Sequence, residues 1–71
     1  MAAEEAKNDP VCQRHLKAAE HLVHASHHHL QAASSHAAGH IEKAKHHAQQ
    51  AQEHATRAMR YASDATKRFF N

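Results

Sequence analysis

Apolar and small residues recur along this chain at alternating steps of four and three. In one stretch they are Cys12, Leu16, Ala19, Val23, Ser26, Leu30, Ala33 and Ala37. In the next they are Ile41, Ala44, Ala48, Ala51, Ala55, Ala58, Ala62, Ala65 and Phe69. A heptad stripe of this kind marks the side of an α-helix that packs against another helix. Between the two stretches stands the chain's one glycine, Gly39. Glycine takes the left-handed conformation that ends a helix because it has no Cβ to clash. The pattern predicts an all-α antiparallel helical hairpin, with helices over residues 10–38 and 41–70 turning at Gly39.

The ends of both helices carry matching signals. Asp9 can accept the free N–H groups of a first turn, and Pro10 suits the first helical position. Glu42 falls in the first turn of the second helix, and Lys67 and Arg68 in its last, each where the helix dipole favours its sign. Residues 1–9 read as a flexible N-terminal segment and 10–71 as a single hairpin domain. Folding about the turn sets Cys12 against Phe69, Leu16 against Ala65, Val23 against Ala58 and Leu30 against Ala51, so each sizeable residue meets a smaller or complementary one. The charges agree, with Glu4, Glu5 and Asp9 brought towards Lys67 and Arg68. Two rivals stand beside this reading. Ser34-Ser35 is another site for the turn, and one continuous helix in a parallel dimer would need only a seam shift near residues 33–41.

The seam is thin. Seventeen of the 71 residues are alanine, and few large apolar residues remain. A lone hairpin of this size is marginal, so a homo-oligomer is expected. Leu22, Tyr61, Met59 and Phe70 flank the seam and suit two hairpins dimerising into a four-helix bundle.

Charge and composition exclude several classes. Nine Lys and Arg nearly balance seven Asp and Glu, which is not the basic surface of a nucleic-acid binder. No apolar run is long enough to span a membrane, and the acidic start of the chain is not a secretory signal. The single Cys12 cannot form an internal disulfide and suits a reducing compartment, so a cytoplasmic location is expected. No nucleophile–base pair, acidic dyad, HExxH or Glu-x-x-His is present, which argues against an enzyme.

What stands out is eleven histidines. With Leu16 and Ile41 at heptad position a, position g holds His15, Leu22, His29 and His36 in the first arm. In the second arm it holds His40, His47, His54, Tyr61 and Arg68. In an antiparallel pair the two g edges adjoin, which brings His36 near His47, His29 near His54 and Leu22 near Tyr61. Neutral imidazole binds Zn, Ni and Cu, so His29, His36, His40, His47 and His54 are the first candidates for a transition-metal site. His21, His24 and His28 form a second stripe on what the heptad makes the outer face of the first helix. Pairs spaced by four, His24 with His28 and His36 with His40, can also share an ion. The competing reading is a non-catalytic structural or stress-related protein whose histidines supply solubility and pH response.

The stretch from His36 to Ala48, HAAGHIEKAKHHA, resembles the turn of small histidine- and alanine-rich bacterial proteins that repeat His-His-Ala units around a Gly-x-x-Glu-Lys-Ala turn. Its Gly39–Ala44 part is similar to the turn of tetratricopeptide hairpins. The resemblance implies a helical hairpin, with metal binding inferred for those proteins from composition. No second repeat follows, so a solenoid is not implied.

Overall fold

The computed structural model describes residues 8–70, without the side chain of Phe70. The expected N-terminal segment, apart from Asn8 and Asp9, lies outside the described residues, as do Glu4, Glu5 and Asn71. Two helices follow one another: α1, Pro10–Ala37, and α2, Ile41–Phe70. They pack along their length as an antiparallel hairpin. No helix among the described residues is long and apolar enough to cross a membrane.

The helix ends are built as the residues dictate. Asp9 accepts the Val11 N–H on Oδ1 at 2.8 Å, with Pro10 following. At the other end Gly39 has φ 84°. His40 N–H donates to the Ser35 carbonyl at 2.8 Å and Gly39 N–H to the His36 carbonyl at 3.0 Å. This pair of bonds is a Schellman motif, which satisfies carbonyls that the helix end leaves open. The turn is therefore at Gly39 and not at Ser34-Ser35, and the chain is not one continuous helix. A Cβ placed on Gly39 would meet nothing within 4 Å. Gly39→Ala is thus expected to cost only the backbone term, about 1 kcal/mol or slightly more. In a domain this small, that lowers the melting temperature by about 5 °C with unchanged helical content, as thermal circular dichroism would show.

The contact face differs from the heptad expectation. In α2 the row Ala44, Ala51, Ala58 and Ala65 is buried, as expected. Its expected companion row, Ile41, Ala48, Ala55, Ala62 and Phe69, is met only in part, by the half-buried Ala55 and Ala62. His47, His54 and Tyr61 turn inwards to half-burial, while Ile41, Ala48 and Phe69 are exposed. In α1 the change is larger. Ala18 and Ala25 are buried, with Arg14, His21, His28 and Ala32 half-buried on the same side. Leu16, Val23 and Leu30 are 54%, 68% and 68% exposed. At 100° per residue, α1 is rotated by roughly 150° from its expected orientation. The pairs of Leu16, Val23 and Leu30 with α2 alanines are therefore not made. Cys12 is half-buried and unpaired, and Phe69 lies beside His15, the ring centres 6.2 Å apart.

The physical reason is size matching. α2 offers alanines along one row, and an alanine row on α1 lets two backbones approach more closely than a leucine row does. The hairpin is one layer, 52 × 24 × 12 Å, and its smallest extent is about one helix diameter. Each helix is thus covered on one side only, and every fully buried side chain among the described residues is an alanine. Three ion pairs, Lys17–Glu20, Lys45–Glu42 and Lys67–Asp64, span 3.4–3.9 Å on exposed helix faces. Such pairs add little. At the open end one guanidinium nitrogen of Arg14, Nη1, is buried without a hydrogen-bond partner.

Candidate functional site

Flat rings fill the space beside the alanine rows. His21 and His28 of α1 lie one heptad apart and share the inward side with Ala18 and Ala25. His47, His54 and Tyr61 of α2 keep the same spacing beside Ala44, Ala51 and Ala58. A side chain seven residues on returns to nearly the same side of a helix, so both rows face across the interface. Nδ1 of His21 is 2.9 Å from Nδ1 of His54, and Nδ1 of His28 is 3.2 Å from Nδ1 of His47. In each pair one ring donates its N–H and the other accepts, which fixes opposite tautomers on the two rings.

The rings continue as a stack. His54 lies between the α1 side chains, its ring centre 5.1 Å from His21, 5.0 Å from His24 and 5.8 Å from His28. His28 and His47 are 5.4 Å apart. Tyr61 closes the row with its ring parallel to His21 at 5.8 Å. These separations fall in the range of favourable ring contacts.

The electrostatics follow from this packing. The pKa of His28 is lowered, first by loss of solvent and then by His47, His27, His24 and His46. That of His54 is lowered by loss of solvent, followed by His24, His21, Arg57 and His28. A ring crowded by other potential cations and partly removed from water resists a proton. The shift favours the neutral form of both rings, the form that binds metals.

Of the histidines expected to form the site, His47 and His54 stand on the interface, but not with the expected partners. His29 and His36 are exposed, and His28 and His21 take the places foreseen for them. His40 lies in the turn, where its carbonyl accepts the Ala44 N–H. The stripe of His21, His24 and His28, expected to have no partner helix, is the one that meets α2. Tyr61 stacks on His21, whereas Leu22 is exposed. A signal for this arrangement was present: His21 and His28 repeat in step with Ala18, Ala25 and Ala32, as His47, His54 and Tyr61 do with Ala44, Ala51 and Ala58.

Among the described residues, no three His, Cys, Asp or Glu side chains converge as a ready metal centre. What the structure holds is two-histidine pairs across the interface. No protein-family model, curated protein or solved structure matches the chain.

Proposed function

We propose that this protein binds transition-metal ions of the Zn, Ni and Cu class through its interhelical histidine pairs. The observation that carries the reading is the separation of the paired nitrogens, 2.9 Å and 3.2 Å. Two imidazole nitrogens bound to one ion at 2.0–2.1 Å lie about 2.9 Å apart at a right angle and about 3.3 Å apart at the tetrahedral angle. Each pair now shares one Nδ1 proton. If the donor ring shifts that proton through water to its own Nε2, both rings stay neutral and both Nδ1 lone pairs are free for an ion, with little movement of the backbone. Water, or histidines such as His24, would complete the coordination. The half-buried His28 and His54, whose neutral form is favoured, are the rings best prepared to bind. Cys12 as a free thiol suits a reducing location such as the cytoplasm. Self-association is expected independently of metal, because a one-layer hairpin leaves large aliphatic side chains in water.

Calorimetric titration of the tag-free chain with each metal tests this. Sub-micromolar binding at fixed stoichiometry is expected. An ion bridging α1 and α2 binds the folded state preferentially, so metal at a hundredfold excess over its dissociation constant should add about 2.7 kcal/mol of stability. His28→Ala with His54→Ala is expected to remove both the tight binding and the stabilisation. His36→Ala with His40→Ala, on the exposed turn, should leave them. Weak, graded binding unaffected by the first double variant would defeat the proposal.

A second reading is favoured by the lowered pKa values of His28 and His54. In it the histidine row is a structural clasp that loosens on protonation. The calorimetric result separates the two readings.

A further inference from the structure

The outer side of α1 is the part of the surface that the hairpin leaves unused. Leu16, Val23 and Leu30 stand there, with Leu22 beside them at 55% exposure. They recur every seven residues, which sets them on one stripe with Ala19, Ser26 and Ala33 between them. A stripe of this period fits a matching stripe on another helix. α2 cannot cover it, because α2 lies on nearly the opposite side of α1. We propose that this face binds a second copy of the chain, α1 against α1 about a two-fold axis, with the two helices antiparallel.

Size complementarity points to the copy itself. In an antiparallel pair, a positions face d positions. Leu16 then meets the second copy's Ala33, Val23 meets its Ser26, and Leu30 meets its Ala19. Two-fold symmetry makes each contact twice. Every layer holds one large and one small residue, so the helices keep an even separation. A parallel pair would stack Leu16 on Leu16 and Ala19 on Ala19, alternating crowded and empty layers. Charge agrees as well, since the antiparallel register sets Glu20 beside the second copy's His27, both on the edge of the stripe.

The area is sufficient. The four aliphatic side chains expose on the order of 400 Å² per chain, so the two-fold contact with its small residues buries on the order of 1,000–1,200 Å², the threshold of a specific interface. The product is a layer of four helices with the α1 pair inside and α2 at each edge, in place of the closed bundle expected from the sequence. The histidine pairs stay within each chain, so this contact does not depend on the metal reading.

Light scattering after size-exclusion chromatography of the full chain, at high micromolar concentration with chelator present, is expected to give twice the 7.9 kDa chain mass. Val23→Glu places two charges at the centre and should return the mass of one chain with helical content retained. Val23→Ser, which adds no charge, should weaken the dimer in the same direction and covers the case in which the glutamate disturbs the helix. Met59→Glu, at an exposed site on α2, should remain dimeric. In Ala37→Cys the introduced thiol faces the second copy's Cys12, so mild oxidation should give a covalent dimer that the parent does not form. A single-chain mass for the parent overturns the dimer. Full dimerisation of both Val23 variants overturns the face, and a Cys12–Cys12 cross-link in the parent overturns the antiparallel direction.

Discussion

Ala51→Leu is expected to unfold the hairpin, while Ala48→Leu, three residues away, leaves it standing. Ala51 is 0% exposed and sits in the row on which α1 rests. Three added carbons there have no cavity to enter. The helices must separate along the alanine contact or force a neighbouring side chain out of its rotamer. Such overpacking typically costs about 1–3 kcal/mol and sometimes more. The upper end is expected here, because parting the helices loosens the contacts of Ala18, Ala25 and Ala58 together. A single-layer domain of this size has little stability to lose. Ala48 is exposed beside a shallow groove lined by Ala32, Ala33 and Ala44, and a leucine there adds apolar contact without displacing a backbone. The heptad pattern read alone makes both positions seam and predicts damage from both. Urea titration followed by far-ultraviolet circular dichroism decides between them. An Ala51→Leu chain that unfolds at the parent's midpoint would refute the alanine contact.

The second large effect is expected with pH. His28 and His54 have folded pKa values below their unfolded value near 6.5. The unfolded chain therefore binds more protons wherever these groups titrate, and stability rises with pH across that range. Their contribution is complete above the unfolded value and is lost as pH falls through 6.5 and on through the lower folded values. The pair geometry acts in the same direction. One proton between two Nδ1 atoms makes a hydrogen bond between neutral rings. Full protonation of both rings, at Nδ1 and Nε2, instead sets two donors against each other and puts a positive charge on each ring, the Nδ1 atoms about 3 Å apart. The melting temperature should hold between pH 8 and 7 and drop towards pH 5. His28→Gln with His54→Gln should flatten that drop while leaving most of the helix at neutral pH. A parent melting temperature that stays level or rises towards pH 5 would mean that these rings are not packed against one another. Metal affinity should fall over the same range, because proton and ion compete for the same nitrogen atoms.

Much of the architecture could be read from local residues. Asp9-Pro10 set the start of α1, Gly39 set its end, and an uninterrupted run of helix formers carried α2 to Phe70. The interactions at these positions lie within a few residues in sequence, so their outcome does not depend on what packs elsewhere. The alanine row of α2 was legible as well, because one face of that helix offers nothing bulkier.

The face of α1 was not legible in the same way. That helix carries two heptad stripes, one through Leu16, Val23 and Leu30 and one through Ala18, Ala25 and Ala32. Hydrophobicity ranks the first above the second. The choice between them depends on the partner, and a row of alanines on α2 favours close approach of another row of alanines. With α1 rotated, His21 and His28 moved from the expected outside to the interface, and His29 and His36 moved away from it. By itself, then, the sequence determined two helices, their ends and the turn, because capping and backbone conformation are local. Only the tertiary structure decided which histidines face one another, because that depends on the rotation of one helix against the other, and steric fit between two surfaces governs the rotation.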